Sequence, residues 1–485
     1  MKTATKNPFI VSVLIAGLGL ILAGEATAQT FTTLYSFTAN PYQTNSDGAR
    51  PHAGLILSGG ILYGTATDGG ASGNGTVFAL NAGGTGFTNL HSFSPGTDGA
   101  KPQAELGLSG NTLFGAAYQA GSSGLGTLFK VSADGSGFST LYSFRGGSDG
   151  AYPFAGVVLS GNTLYGATYH GGSSGNDGTV FAINSDGTGF TNLHSFTGID
   201  GAEPEADLVL SDNTLYGTAF FGGSSGNGTV FKVNTDGTGF ANLHRFTASP
   251  YVTNSDGAFP SGSLVLSGNT LYGTTHSGGS WGNGTVFALN TDGTGFRNLH
   301  NFTGTSCGGC PNSDGASPHG GLILSGNTLY GTTYSGGSWG SGTVFALNTD
   351  GTGFRNLHSF TTALGPHPGP LPYKIGPYTN SDGANPVAGL SLSSNTLYGT
   401  ALGGGSYGNG TVFSIFIQPQ LIIIPSGANV ILAWPTNYTG FTLQTATNLL
   451  SPVWTTNLPE PVVINGQNIV TNPISGTQQF FRLSQ

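Results

Sequence analysis

The chain carries 85 glycines in 485 residues, while Lys+Arg (12) and Asp+Glu (21) together make up only 7% of it. Glycine at that level without a Gly-X-Y period excludes collagen, and 31 Phe, 18 Tyr and 37% hydrophobic content exclude a chain too polar to collapse. Scarce helix formers point to an all-β, turn-rich protein, and a net charge of −9 with 12 basic side chains offers no phosphate-neutralising surface, which argues against nucleic acid as a partner.

At the N-terminus, Lys2 and Lys6 precede an apolar run from Phe9 to Ala23, followed by Glu25-Ala26-Thr27-Ala28-Gln29. A basic start, a short apolar stretch and an Ala-x-Ala site predict a signal peptide over residues 1–28. The alternative, a membrane anchor, would need an apolar run of about 20 residues. Cleavage after Ala28 leaves 10 basic and 20 acidic residues and no later stretch long enough to span a membrane. The expected product is exported, secreted or held at the cell surface, and monomeric.

The body of the chain is repetitive. Leu-Tyr/Phe-Gly recurs with its aromatic at Tyr63, Phe114, Tyr165, Tyr216, Tyr272, Tyr330 and Tyr398, which define repeats 1 to 7. Each is followed by Gly-Thr-Val/Leu-Phe, ending at Phe78, Phe129, Phe181, Phe231, Phe287, Phe345 and Phe413. A third element, Phe-x-x-Leu-His/Tyr-x-Phe, starts at Phe31, Phe87, Phe138, Phe190, Phe240, Phe296 and Phe354. Its first copy precedes the first Leu-Tyr-Gly, and none follows the last.

Each repeat reads as four short strands, A to D. Strand A is typified by Gly54 to Ser58, B by Thr270 to Thr275, C by Gly284 to Asn290 and D by Phe296 to Phe302. Ser-Gly-Asn between A and B, and Asn-Thr-Asp-Gly-Thr-Gly between C and D, are tight-turn chemistry. Four-stranded antiparallel units at such a period predict a seven-bladed β-propeller over residues 29–417. The offset copy, Phe31 to Phe37, is expected to close the ring as the outer strand of the last blade. A right-handed β-solenoid is the competing architecture, but it needs no such latch.

The runs Leu-Ser-Gly-Asn-Thr-Leu-Tyr-Gly-Thr-Thr, Gly-Gly-Ser-x-Gly-x-Gly-Thr-Val-Phe and Asp-Gly-Thr-Gly-Phe resemble the GloVer tandem-repeat family of exported, choice-of-anchor bacterial proteins, over roughly residues 31–416. That resemblance implies export and varied C-terminal sorting or anchoring segments. It implies no enzymatic activity.

Beyond Phe416 the repeat stops. Leu421–Ile424, Val430–Trp434, Phe441–Thr445, Val462–Ile464, Ile469–Thr471 and Phe480–Leu483 are β-runs divided by Pro, Gly and Asn. They predict a small Ig- or fibronectin-like sandwich over 418–485, serving in sorting or attachment or as an inert cap. Cys307 and Cys310, the only cysteines, lack the βαβ context of a redox motif and the further soft ligands of a zinc site, and are read as a local disulfide.

Seven Asp-Gly-Ala motifs (Asp47, Asp98, Asp149, Asp200, Asp256, Asp314, Asp382) suggest calcium, but one carboxylate per repeat supplies too few oxygens. The Asp is expected to bond its own turn, and neither metal nor cofactor is expected. The His at position five of strand D (His91, His194, His244, His300, His358) exchanges with Tyr35 and Tyr142, which reads as ring packing.

Differences among the repeats carry more functional information. From the last Phe of strand D to the Asp is 5, 5 and 4 positions before repeats 2, 3 and 4, but 10, 10, 12 and 22 before repeats 1, 5, 6 and 7. The long loops carry Tyr42, Tyr251, Tyr373 and Tyr378, and the B–C loop position that is Ser in repeats 1–4 becomes Trp281, Trp339 and Tyr407 in repeats 5–7. These seven aromatics are the candidate ligand-binding residues. Flat rings among Asn, Ser and Gly suit a neutral polysaccharide, and equally a cell-surface protein in an adhesion role. The expected function is a non-catalytic binding or surface-interaction scaffold. A competing glycosidase or polysaccharide lyase reading rests on channel-mouth carboxylates: strand A is expected to line the channel, and its small entry residue (Gly54, Gly156, Gly321, Gly389) becomes Glu105 in repeat 2 and Asp207 in repeat 4, with Glu203 and Glu205 nearby.

Overall fold

The computed structural model describes residues 13–14, 21–22, 29–38, 44–94, 96–173, 175–247, 254–304, 310–362, 379–419, 421–436, 440–448, 452–456, 458–464, 467–473 and 479–484. Among them there is no α-helix, and hence none long and apolar enough to cross a membrane. Within residues 1–28, only Val13–Leu14 and Ile21–Leu22 are described, as a short antiparallel pair. The chain divides into two compact units: residues 32–391 with 398–414, and residues 1–31 with 392–397 and 415–485.

The repeats form seven four-stranded antiparallel sheets, six of them in the simple order A-B-C-D. In repeat 1 these strands are Ile56–Ser58, Ile61–Ala66, Thr76–Asn81 and Thr88–Ser92. The seventh sheet consists of Ser391–Ser393, Thr396–Ala401 and Thr411–Phe416, with Thr30–Ser36 as its fourth strand. The offset N-terminal segment thus occupies the outer position of the last sheet, where the Phe37 N–H donates to the Gly410 carbonyl at 3.1 Å.

Why the motif takes this form is visible at its glycine. A Cβ on Gly64 would sit 2.7 Å from Cζ of Phe78 on the neighbouring strand C, and the same clash recurs at every Leu-Tyr/Phe-Gly, from Gly115 on Phe129 to Gly399 on Phe413. The Phe ring lies flat across the glycine, so the two motifs specify one contact. The buried Val of strand C then packs against the following sheet and the Phe against the preceding one. One core cluster joins Tyr63, Val77, Leu90 and Phe93 of repeat 1 to Leu106, Leu113 and Phe129 of repeat 2. Another joins Phe37, Leu55, Leu62 and Phe78 to Tyr398 and Val412, so the first sheet packs on the last.

Strand A is shorter than its sequence suggests. It begins at Ile56 rather than Gly54. The preceding Pro-x-Ala/Gly segment instead offers its carbonyls to the neighbouring sheet: the Ala53 carbonyl accepts from Thr400 Oγ1 at 2.9 Å, and that of Ala388 from Thr332 Oγ1 at 2.9 Å. A backbone engaged between repeats cannot also join its own ladder.

In the second unit, Ile422–Ser426, Asn429–Pro435, Gln467–Pro473 and Val462–Ile464 form a four-stranded sheet in that spatial order, and Thr442–Ala446 pairs with Phe480–Ser484. Val430, Leu432, Trp434 and Val470 of the sheet bury against Leu443 and Phe481 of the pair.

Candidate functional site

The Asp-Gly-Ala carboxylates accept from backbone N–H groups of their own D–A loop, as turn chemistry leads one to expect, and in addition take a His or Tyr donor from the preceding strand D, which fastens the seam between repeats. Asp256 accepts from His244 Nε2 at 3.0 Å, from the Thr247 N–H at 3.0 Å and from Thr247 Oγ1 at 2.7 Å. Asp47 accepts from the Tyr35 hydroxyl at 2.7 Å, so His and Tyr exchange because both present a donor at the same point. Burial raises the Asp256, Asp314 and Asp382 carboxyls, but bonds from the His rings and from Thr247, Thr303 and Thr361 outweigh it and hold them below the usual carboxylate range. The imidazole or phenol also stacks on the first Phe of the next strand D, as in His91 on Phe138 (3.5 Å between ring centres) and His300 on Phe354 (3.9 Å). Among the described residues no group of three or more His, Cys, Asp or Glu is arranged to hold a metal.

The long loops of repeats 1, 5, 6 and 7 share a feature that the length count misses. Each returns through Asn-Ser-Asp-Gly-Ala, and the Asn closes its base. Asn254 Nδ2 donates to the Thr247 carbonyl at 3.0 Å, while its Oδ1 accepts from the N–H groups of Gly257 and Gly279 at 2.9 and 2.7 Å.

Of the aromatic residues singled out, Trp281, Trp339 and Tyr407 are exposed by 61%, 56% and 44%. They occupy one register position on three successive sheets. Trp281 lies over Gly304, where a Cβ would come within 3.3 Å of its ring, and the Trp339 carbonyl accepts from Thr362 Oγ1 at 2.9 Å. Tyr42, Tyr251, Tyr373 and Tyr378 lie outside the described residues. So does Cys307, while Cys310 is disulfide-bonded.

A second feature went unnoticed in the sequence. The residue before each Pro-x-Ala/Gly (Arg50, Lys101, Tyr152, Glu203, Phe259, Ser317, Asn385) has a left-handed backbone, with φ between 54° and 59°. Its N–H reaches the previous repeat's B–C loop: Lys101 to the Asn74 carbonyl, and Arg50 to that of Asn409, both at 2.8 Å. An L-residue in this conformation costs about 1–2 kcal/mol relative to right-handed backbone. A chain with 85 glycines nevertheless keeps a side chain at all seven positions. Two of these side chains, Tyr152 and Phe259, end a run of rings, Tyr152–Tyr118–Phe154–His52–His319–His276–Phe220–Phe259, with successive centres 5.1–6.5 Å apart.

Three of those rings, His52, Phe154 and His319, line a cavity of about 240 Å³ to which the Pro-x-Ala/Gly-x segments of all seven repeats contribute. Glu105, Glu205 and Asp207 line it too. The acids therefore face one shared space. Burial, reinforced by Asp207, pushes the Glu105 carboxyl up to about 8. Burial also raises Asp207, although bonds from the Gly156 N–H and the Ser263 hydroxyl oppose the rise. Glu205 is pushed up to about 8 by burial and by Glu203. Desolvation lowers His52 to about 4, and His319, with His52 and His276 beside it, to about 3. The signal in the sequence was there to be read: the residue after the Pro is His52, Gln103, Phe154, Glu205, Ser261, His319 and Val387, different in almost every repeat.

No curated protein matches the chain. Among solved structures it is similar to an oligogalacturonate lyase in complex with manganese (12% identity, 80% of this chain and 96% of that one, TM-score 0.46). It is similar also to a 6-phosphogluconolactonase-like protein from Bacteroides uniformis (15%, 87% and 98%, 0.42) and to the nidogen/laminin complex (13%, 62% and 92%, 0.39). The Gloeobacter/Verrucomicrobia repeat matches twice in tandem, over residues 15–181 and 171–371, and on that match the chain belongs to the Gloeobacter/Verrucomicrobia repeat family.

Proposed function

We infer that the chain is an exported, non-catalytic surface-interaction protein. In this reading its seven sheets are the blades of one β-propeller latched by Thr30–Ser36, and its C-terminal unit is a small β-sandwich. The ligand is a neutral polysaccharide, stacked on Trp281, Trp339 and Tyr407. The observation that carries this reading is the exposure of three large rings at one register position of consecutive sheets, where among the other described aromatic rings only Phe221 and Tyr334 are exposed and the rest are buried or half-buried. Rings held on rigid β-loops present flat apolar faces without further ordering cost on binding. The test is a polysaccharide pull-down with residues 29–485 beside the W281A/W339A/Y407A variant. Retention that disappears in the variant supports a carbohydrate site, while no retention by either protein moves the function to a protein partner.

The carboxyls favour a second reading. Glu105 and Glu205, pushed up to about 8, are proton donors at neutral pH, as a general acid at a glycosidic bond requires. Release of reducing or unsaturated ends from a polysaccharide by the native chain, and not by E105Q, would establish it.

A further inference from the structure

We propose that the ring-collared central cavity binds a primary alkylammonium group, a site separate from the exposed Trp281–Trp339–Tyr407 surface. The cavity lining contains Glu105, Glu205 and Asp207 but neither Lys nor Arg. The two cationic side chains that stand two residues before lining positions in sequence, Lys101 and Arg50, are already engaged. Lys101 Nζ pairs with Asp68 at 2.5 Å and donates to the Gly73 carbonyl at 3.0 Å, and Arg50 pairs with the same Asp68 at 3.1 Å. The other titratable groups facing the acids are Glu203, Tyr118, Tyr169, His52, His276 and His319. Burial lowers all three histidines, so they are neutral at pH 7 and add no positive charge.

An anion is therefore disfavoured by the lining, and a metal by the absence, among the described residues, of three ligating side chains in reach of one point. A neutral ligand would leave Glu105 and Glu205 protonated. An ammonium group resolves the situation differently: it supplies the missing countercharge, lets a carboxyl ionise, and meets the ring of Phe154 in the cavity lining. The volume of about 240 Å³ suits the end of an alkylamine or one amino-sugar ring and excludes a folded partner. The glycines beside the acids keep this space open. A Cβ on Gly54 would meet Glu105 Oε2 at 2.5 Å, and one on Gly156 would meet Asp207 Oδ1 at 3.0 Å.

The test is calorimetry on residues 29–485 with cadaverine and with glucosamine, from pH 6 to 8, in two buffers of different ionisation enthalpy. Both ligands stay largely cationic through the lower half of this range, and cadaverine throughout. The expected result is cadaverine affinity that rises by up to tenfold per pH unit, with about one proton released per ligand. E105Q should remove the proton release and weaken binding at pH 8 by tenfold or more. F154L, which keeps every charge, should weaken binding several-fold at all pH values. Binding of glucosamine alone would assign the site to an amino sugar, and binding of both to amines in general. The proposal is overturned if neither binds, if affinity is flat with pH, if E105Q/D207N binds as the native chain does, or if equimolar calcium displaces the amine. W281A/W339A/Y407A should bind cadaverine unchanged, so failure of the polysaccharide reading and failure of this one are separable.

Discussion

The outer seam and the central cavity are built from the same repeat, yet they treat its residues in opposite ways. At the seam, seven aspartates meet seven His or Tyr side chains, and the chemistry varies only between two donors that reach the same carboxylate. Around the cavity, the residue after the proline is basic-ring, amide, aromatic, acidic, hydroxyl or aliphatic from one repeat to the next. Where packing needs a residue, repetition preserves it. Where packing does not, the positions diverge and carry chemistry. The seam holds the repeats together, the cavity is where amine binding is proposed, and each can be broken without the other.

The largest effect should come from the seam's closure. Deleting residues 29–37 removes the fourth strand of the seventh sheet and the fully buried Phe37. Phe37→Ala alone should cost about 3–5 kcal/mol. The deletion should abolish cooperative thermal unfolding followed by circular dichroism, and a deletion variant with an unchanged midpoint would show that the sheets need no latch. Next comes Asp314→Ala, which strands His300 and the Thr303 N–H and should cost about 3 kcal/mol in urea unfolding. Asp98, more exposed and with its His91 contact stretched to 3.4 Å, should cost about 1 kcal/mol when changed to Ala. Equal losses at the two sites would mean that the seam is not held by these bonds.

Much of this was legible in the sequence. The Thr270–Thr275 strand has the bounds read from the motif, and the outer-strand offset located the latch, because an unmatched copy must pair somewhere. Strand A was misjudged by two residues because its flanking carbonyls bond threonines on another sheet, a partner no local pattern reveals. The bond from the Asp to its own loop backbone was legible in the turn chemistry, but its His partner was not, since that ring precedes it by 6 to 24 positions as the loop length varies. Glu105 and Asp207 were legible as channel residues, but the histidines beside them were not, because His52 and His319 lie on different repeats and only the closed arrangement of sheets brings them to the same space.

The cavity should show itself in the pH profile of stability. His52 and His319 have folded values of about 4 and about 3, below the unfolded value near 6.5, so the unfolded chain binds more protons and stability falls as pH drops from 6.5 towards 4. Glu105 and Glu205, at about 8, have the opposite sign: the folded chain holds more protons above pH 4.5, and stability falls as pH rises towards 8. Each group contributes at most about 1.4 kcal/mol per pH unit. H319Q should flatten the acid limb and E105Q the alkaline one, with cadaverine restoring stability on the alkaline side of the native chain only. A profile unaltered by either substitution would mean that these groups titrate in the fold as they do in the unfolded chain.

The smallest effect on stability is expected at the exposed rings, and it sharpens the comparison most. Trp281 is 61% exposed and touches little beyond Gly304, so Trp281→Ala should shift the unfolding free energy by no more than about 0.5 kcal/mol. A tryptophan that contributes so little to the fold stands where repeats 1, 2 and 4 have Ser72, Ser123 and Ser225. Serine satisfies the loop there, so the ring is not required by the loop's own structure. Were Trp281→Ala to cost as much as Asp98→Ala, the ring would instead be a cover for the glycine-rich loop beneath it, and the three aromatics would belong with the seam rather than with binding.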